Sequence, residues 1–465
     1  MKSYRYEKDS IGKVKIPRNA YYGLMGQRAS ENFPISGLKP NLSYTYSTVI
    51  IKQAAATVNC KLNLLDKKKS TAIISACDEI LKGKFCDQFI VDIYQAGAGT
   101  SHNMNVNEII ANRANEILGA PLGSYKYIHP NDDVNMSQST NDVIPTAIRI
   151  SCLFLLPKLL KSLNDLAESF SKKSKEFSGI IKSGRTHLQD ALPVTLGQEF
   201  EAYAKAISYD RQRIEKSAKN LLRIGIGGTA VGTGINTHPK YHLLMISELK
   251  KLTKLPLKSS GNLFESMQNT ADFLDLSGSL CILSQTLIRI GNDLRLLSSG
   301  PRTGFAEVTL FAVQPGSSIM PGKVNPGVVE MLTMVCFQVI GFDQAILLAS
   351  VSGQLELNVW LPLIAYNLLE QIRLLTNAVQ VFEDKCVSKI TANENMCRFW
   401  LERSLGIAAI LNPYLGYEKV VQLVKEALNK NISIKELIKE KKFLNPKIMK
   451  KIFEIKNLTR PNIYK

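Results

Sequence analysis

Residues 148–170 read IRISCLFLLPKLLKSLNDLAESF, and this stretch decides the fold. Apolar side chains recur in it at steps of three and four residues, which lines them along one face of a helix. They are Ile148, Cys152, Leu155, Leu159, Leu163, Leu166 and Phe170. Pro157 should kink this helix or restart it. A helix this long must bury its apolar face against other helices, which predicts a helical bundle.

Two further segments repeat this spacing. They carry Leu196, Phe200, Tyr203, Ile207, Ile214, Ala218 and Leu221 in one, and Leu283, Leu287, Ile290 and Leu294 in the other. More helices are predicted at about 43–64, 71–82, 105–118, 327–352 and 361–385, while the alternation typical of strands is rare. The predicted fold is therefore all-α. Its predicted domains are an N-terminal, mostly helical one (1–140), a central long-helix bundle (141–395) and a small C-terminal helical one (396–465).

The composition is that of a globular protein, with 45% hydrophobic and 21% charged residues in a chain of 465. No apolar run is expected to reach the roughly 18 residues of a membrane helix, so no membrane partner is expected. The first residues lack the apolar region of a secretory signal. Eight scattered cysteines without a CxxC pair predict reduced thiols, a cytoplasmic location and no metal site.

The chain is strongly basic, with a formal net charge of +18. Half of this excess, +9, lies in residues 396–465. Because that segment has few aromatic residues among its lysines and no recognition motif, a solvated basic face is preferred to a nucleic-acid site. Steering of a dianionic substrate is a weaker alternative.

The most unusual polar stretch is QPGSSIMPGKVNPGVVE, at 314–330. Its prolines and glycines predict a mobile loop that displays two hydroxyls, one cation and one amide, which suit a small carboxylate. A phosphate-binding P-loop is excluded, because five residues separate Gly316 from Gly322 and Val324 follows Lys323. A plain solvated turn is the alternative.

Three other polar stretches flank predicted long helices: Gly97–Thr100, HPNDDVNMSQSTND at 129–142 and SGRTHLQD at 183–190. A helix N-terminus attracts anions, although Ser, Thr, Asn and Asp also simply cap helices. For His187, the alternative to a functional role is a purely structural one. Together the stretches offer hydroxyl, amide, imidazole and ammonium groups but no cysteine nucleophile or metal cluster. This set indicates the handling of a small dicarboxylate without a required cofactor, and activation by a divalent metal is left open.

These motifs identify the chain as similar to the aspartase/fumarase superfamily. GSSIMPGKVNP (316–326) resembles the superfamily signature, and the other blocks follow in the same order over nearly the whole chain. Short motifs such as QAGAGTS (95–101) and GRTHLQDALP (184–193) resemble those of aspartate ammonia-lyases. Others, HPNDDVNMSQSTND and NTHP (236–239), resemble those of class II fumarases. The resemblance therefore implies deamination of L-aspartate to fumarate and ammonia, with fumarate hydratase as the alternative.

The resemblance also implies an architecture. Members of the superfamily have three mostly helical domains and form homotetramers whose central domains make a twenty-helix core. Each active site draws on three subunits. The long apolar faces described above agree with such a core, although periodicity alone does not predict a tetramer.

Residue roles are carried over by matching motifs. Ser317 is the implied base, and Glu330 is implied to pair with His187 and orient it. Substrate-binding roles fall on Thr100, Ser139, Thr140, Asn141, Thr186, His187, Ser318, Lys323 and Asn325. A second, non-catalytic dicarboxylate site is implied at His129, Asn131 and Asp132, although a helix-cap and turn role is preferred there.

Two readings from other classes remain. The fold could serve as a crystallin-like or scaffold protein without catalysis. The presence of the motif residues Ser317, Lys323, Asn325 and His187 argues against this alternative. The basic tail could bind nucleic acid, which would make binding depend on salt.

Overall fold

The computed structural model describes residues 3–461, and most of them are helical. The N-terminal part contains β1 (Tyr4–Lys8), β2 (Lys13–Pro17), α1 (Leu24–Asn32), α2 (Leu42–Lys61), α3 (Lys67–Leu81) and α4 (Thr100–Ile117). The middle contains α5 (Thr140–Glu176), β3 (Ile181–Thr186), β4 (Gln189–Thr195), α6 (Leu196–Ala218), β5 (Arg223–Ile224), α7 (Tyr241–Thr253), β6 (Lys258–Ser259), α8 (Leu263–Gln268), α9 (Ala271–Leu297), β7 (Val308–Thr309), α10 (Gly327–Val351) and α11 (Leu361–Lys385). The C-terminal part contains β8 (Thr391–Ala392), α12 (Glu394–Arg403), α13 (Asn412–Leu415), α14 (Tyr417–Lys430), α15 (Ile434–Lys441), α16 (Pro446–Ile452) and α17 (Ile455–Leu458).

The predicted apolar faces form the core of the long helices. All the residues named for α6 and α9 are buried, as are those of α5 with one exception. Leu155 is only half-buried, and its neighbour Leu156 is buried instead. The all-α prediction is confirmed.

Two boundaries differ from the predictions. α5 runs without a break through Pro145 and Pro157, so the predicted restart at Pro157 is wrong. α4 begins at Thr100, five residues before the predicted start. Its first turn contains Ser101, His102 and Asn103, polar residues that hide a helix start from a search for apolar periodicity.

The expectation that no apolar stretch reaches membrane length is also wrong. Three helices, α5, α9 and α10, are long and apolar enough to cross a membrane by length and composition alone. In α5 and α9, 67% and 56% of the most apolar window is buried within the chain, but in α10 only 22% is. α10 therefore leaves a large apolar face uncovered by its own chain. The absence of a membrane partner stays a prediction.

The described residues form two compact units. The first comprises 3–160, 212–282 and 337–375. It holds the antiparallel pair β1–β2, the parallel pair β5–β6, and a core in which Ile73 of α3 and Ile109 of α4 are buried. Side chains cap two of its helices: Asn41 and Asp66 accept free N–H groups at the starts of α2 and α3.

The second unit comprises 161–211, 283–336 and 376–461. It holds the antiparallel hairpin β3–β4, with an irregularity between Ser183 and Arg185, and the short antiparallel pair β7–β8. Its C-terminal helices share a core around Leu411, Leu423 and Leu437. The division into three domains stays a prediction.

Candidate active site

The predicted site residues of the first unit cluster around the start of α5. Ser139 caps the helix: its Oγ accepts the N–H of Asn141 at 3.2 Å, and its own N–H donates to Asp142 at 3.0 Å. Thr140 Oγ1 lies 3.3 Å from Nδ2 of Asn103, which donates to it. Ser139 therefore caps α5, so the side chains of Thr140 and Asn141 are not needed as caps.

Thr100 stands at the start of α4 in the same unit. Gly99 precedes it with a φ of 86°, in the left-handed region that favours glycine. A Cβ at Gly99 would lie 3.1 Å from Ile144 of α5. A glycine is thus required both by the backbone turn and by the close approach of the two helices, which brings Thr100 towards the start of α5.

Asn141 faces a cavity of about 640 Å³. The other walls come from Ala230 and Val231, and from the segment Ser352–Trp360. Asn141 Nδ2 donates to the carbonyl of Ala230 at 2.8 Å, and the N–H of Ala98 donates to the carbonyl of Val359 at 2.7 Å. The start of α5 and the 352–360 segment therefore share one cavity, and the Gly97–Thr100 stretch is hydrogen-bonded to one of its walls through Val359. Trp360, for which the sequence offered no role, lines it.

Asp142 is the main residue that the sequence interpretation missed. It is fully buried and accepts the N–H groups of Gly227 and Thr229 at 2.9 and 3.0 Å, which ties the glycine-rich turn 227–236 to the start of α5. Burial raises the pKa of its carboxyl to about 6, although backbone donors favour the charged form. The sequence signal for Asp142 was its position directly after Asn141, in the polar motif STND (139–142).

A buried lysine lies close to this group. Lys52 of α2 donates from Nζ to Asn135 Oδ1 at 2.8 Å, and Nδ2 of Asn103 donates to the same oxygen at 3.3 Å. Burial lowers the pKa of the Lys52 ammonium to about 7, while the charge of Asp142 opposes that change. Asn103 thus links Lys52 to Thr140 through hydrogen bonds, and no sequence pattern predicts this connection.

In the second unit, Thr186 and His187 lie at the tip of the β3–β4 hairpin. His187 and Leu188 both have left-handed backbone angles, with φ of 55° and 58°, and both side chains are exposed. The strand behind them is anchored by Glu307, which is fully buried and pairs with Arg185 at 3.0 Å and Lys182 at 2.9 Å. The hairpin therefore presents Thr186 and His187 on a fixed base.

The 314–326 loop contains neither helix nor strand. Its ends are tied together, because the N–H of Gly316 donates to the carbonyl of Lys323 at 2.8 Å and Asn325 Nδ2 donates to the carbonyl of Gly316 at 2.7 Å. Ser317 is half-buried, whereas Ser318, Lys323 and Asn325 are exposed.

The Ser317 hydroxyl has an uncommon environment within this loop. Its Oγ accepts the N–H groups of Ile319 and Met320 at 3.2 and 3.0 Å. Donors aimed at an oxygen favour its deprotonated form, since they stabilise negative charge. The same bonds would also be formed by a purely structural serine turn.

Two expected features remain predictions. Within residues 3–461, no hydrogen bond or ion pair joins Glu330 to His187 in the single chain, and the N–H of Glu330 donates to the carbonyl of Pro326. His129 acts as the preferred cap and turn residue, because its Nδ1 accepts the N–H of Asp132 at 3.3 Å. Asp132 pairs with the same ring when it is protonated, and Asn131 is exposed. A second ligand site at these residues is untested.

All eight cysteines are unpaired. In the part of the chain that the structure describes, no group of three or more histidine, cysteine or acidic side chains is placed to hold a metal ion. That the chemistry requires no cofactor stays a prediction, and activation by a divalent metal stays open.

Comparison with known proteins identifies the family to which the chain belongs. A family model described as "Lyase" matches residues 12–341, and one described as "Fumarase C C-terminus" matches residues 407–460. The chain is a lyase of the aspartase/fumarase superfamily. This lyase is 46% identical to the aspartate ammonia-lyase of Bacillus subtilis (strain 168), over 99% of this chain and 97% of that one.

Solved structures agree with the fold of this lyase. A fumarate lyase:delta crystallin from Brucella melitensis, bound to cobalt, superposes with a TM-score of 0.96 at 46% identity, covering 99% of this chain and 100% of that one. The class II fumarase from Schistosoma mansoni superposes with a TM-score of 0.94 at 37% identity, covering 97% and 98%. The superfamily assignment made from the motifs is confirmed.

Proposed function

We propose that this lyase catalyses the reversible deamination of L-aspartate to fumarate and ammonia. The observation that carries the proposal is the 46% identity to an aspartate ammonia-lyase along nearly the whole chain. The cavity beside Asn141 and the polar stretches around it supply groups that suit a small dicarboxylate.

The difficult step is removal of the Cβ proton, which is barely acidic. It becomes feasible when the neighbouring carboxylate takes up the charge as an aci-carboxylate dianion, provided that more donors reach that group in the transition state than in the ground state. Thr100, Ser139, Thr140 and Ser318 are the proposed donors. Thr100 and Thr140 stand at helix starts, where free N–H groups add to their hydroxyls.

Ser317 is the proposed base. A free serine hydroxyl is too weakly acidic to exist as an alkoxide near neutral pH, so the site must stabilise that form. The two N–H groups that donate to Ser317 Oγ support this role. Closure of the glycine-flanked loop over substrate would also exclude water.

The remaining groups fit the rest of the substrate. Lys323 and Asn325 are proposed to hold the second carboxylate, and Asn141, Thr186 and His187 to face the amino group. A neutral amide and imidazole suit an ammonium leaving group better than a cation would. We propose that Glu330 orients His187 of another copy of the chain, since the two do not pair within one copy.

This function is proposed for a cytoplasmic homotetramer in which several subunits share each site. The uncovered apolar face of α10 supports assembly, because Met334, Phe337, Leu348 and Val351 are each at least 60% exposed in the single chain. No cofactor is proposed as essential, and neither nucleic acid nor membrane is a proposed partner. A dicarboxylate site at His129, Asn131 and Asp132 remains a lesser proposal.

Fumarate hydration is the second candidate. The likeness to the Schistosoma mansoni class II fumarase favours it, although at 37% identity that match is lower than the match to aspartate ammonia-lyases. Water would then replace ammonia, and the proposed contacts of Asn141 and His187 with an amino group would be wrong.

A parallel assay separates the two candidates. Purified enzyme receives L-aspartate or L-malate, and fumarate is followed by its ultraviolet absorbance together with ammonia release. Fumarate from aspartate with matching ammonia is the expected result. Fumarate from malate alone would assign the hydratase, and fumarate from neither would overturn both proposals.

A further inference from the structure

A second cavity, of about 890 Å³, lies among the C-terminal helices α15 and α16. Its floor is apolar: Ile438 and Met449 are buried, and Leu444 and Phe453 are half-buried. Small-molecule sites are concave, mostly apolar and about 300–1,000 Å³ in volume. The cavity has the size and lining of such a site, and none of the proposed substrate residues lines it.

Four lysines form the rim of this cavity: Lys435, Lys439, Lys442 and Lys450. Within the described residues, none of them pairs with a carboxylate. Two lysines outside the cavity do form ion pairs: Lys430 and Lys441 both pair with Glu426, at 3.1 and 2.7 Å. The rim lysines are thus not held in ion pairs, although the charge of Lys439 acts on the nearby Glu436 carboxylate.

Helix stability explains only part of this arrangement. Lysines near a helix C-terminus, such as Lys439, interact favourably with the helix dipole. Lys435 lies in the first turn of α15, where a cation is disfavoured. Its Nζ lies 5.8 Å from the centre of the Phe453 ring, which places charge directly beside the apolar floor.

The single acid of the cavity does not neutralise the rim. Glu454 lines the cavity but pairs with Lys456, at 3.4 Å. An apolar floor under an unpaired cationic rim matches a ligand with an apolar body and a negatively charged head. A short dicarboxylate would leave the floor without a partner, and a phosphate backbone has no apolar body to place on it.

We propose that this cavity binds an amphipathic organic anion, namely an acyl carboxylate whose chain lies on Ile438, Met449 and Phe453. Its head contacts Lys439 and Lys442. The same chemistry is available from a free acyl carboxylate and from an anionic lipid in a bilayer. The site is independent of the proposed reaction and accounts for part of the basic charge of the C-terminal segment.

Calorimetric titration of the full-length enzyme with decanoate tests the proposal. Decanol has the same chain length without the charge and serves as the ligand control. The expected result is saturable binding of one decanoate per chain, with decanol at least about tenfold weaker because charge-assisted contacts are lost. Equal affinity for the two ligands, or no saturation, would overturn the proposal.

Matched variants locate the site. Lys439→Gln/Lys442→Gln removes two rim charges, whereas Lys430→Gln/Lys441→Gln removes two charges outside the cavity at the same net change. The rim variant should weaken decanoate binding about tenfold. The control should weaken it less than about twofold, since Lys430 and Lys441 lie outside the cavity and pair with Glu426. Equal losses would mean that net charge alone attracts the ligand. Binding to anionic vesicles without binding to free decanoate would overturn the proposal in favour of a membrane surface.

Discussion

The Ser317 oxygen, which accepts two backbone N–H groups, is the residue on which the proposed chemistry depends. Ser317→Ala removes that oxygen and should lower kcat by at least about a hundredfold, a typical contribution of a general base. The non-reacting dicarboxylate succinate should still bind, since its contacts lie elsewhere. Steady-state kinetics and calorimetric titration measure the two quantities. Near-normal turnover would exclude Ser317 as the base.

Lys52 gives a prediction about pH. Its pKa falls from 10.5 to about 7 on burial, so between those values the unfolded chain holds a proton that the native chain lacks. The free energy of unfolding should therefore rise with pH across this window, by at most about 1.4 kcal/mol per unit from this group. Lys52→Met should remove that rise. Denaturant titrations across the window measure it.

The matched control for Lys52 is Lys68→Met, at an exposed lysine of α3. That variant should keep the pH dependence of the wild type. If Lys52→Met keeps it as well, Lys52 is not the group that titrates.

Residues of the proposed site differ in how far the sequence reveals them. Ser317, Lys323 and Asn141 stand in polar clusters that neither a core nor a simple cap requires, so they could be found from local composition. Lys52 and Glu307 could not, because an isolated charged residue reads as a surface residue until tertiary contacts bury it.

At the scale of elements, the β3–β4 hairpin rests on buried charge. Glu307→Gln would leave Arg185 without its carboxylate, while Lys182 would keep only Glu199, at 2.9 Å. The free energy of unfolding should fall by about 3–5 kcal/mol, because breaking a buried ion pair leaves an uncompensated charge. Denaturant titration measures the change.

An exposed ion pair supplies the control for Glu307. Glu394→Gln removes the partner of Arg398 at the start of α12, where both side chains are about 60% exposed, and should cost less than about 1 kcal/mol. Equal losses in the two variants would contradict the structural role given to Glu307.

Helices were predictable where apolar spacing was long. The buried faces of α6 and α9 follow from it, because a regular repeat over several turns has one geometric solution. α4 begins five residues before the position that apolar spacing predicts, since its first turn is polar. α5 continues past Pro157, which spacing alone does not reveal. Strands of two residues such as β7 and β8 contain too few positions for any pattern.

At the scale of the whole molecule, the exposed apolar face of α10 predicts assembly. Sedimentation equilibrium should give a mass of about 206 kDa, four times that of the 51.6-kDa chain. Phe337→Glu/Leu348→Glu places charge on this face, three turns apart, and should dissociate the tetramer and abolish turnover. Leu243→Glu, at a leucine 67% exposed on α7, is the control and should leave the mass unchanged. A monomeric wild type would contradict the proposed tetramer.

The all-α class followed from the sequence because the apolar repeats span most of the central chain. The oligomer did not, since an apolar helix face looks the same whether its own chain or another copy covers it. Only the folded structure shows that just 22% of the most apolar window of α10 is buried within its own chain.

The measurement that tests the proposed reaction most directly runs it in reverse. Fumarate and ammonium are incubated with the enzyme in deuterium oxide, and the products are identified by nuclear magnetic resonance. The expected product is L-aspartate with a single deuterium on the carbon next to the side-chain carboxylate, since the base returns a solvent-derived deuteron there as ammonia adds to the other carbon. Deuterated malate with no aspartate would contradict it and assign the chain to hydration.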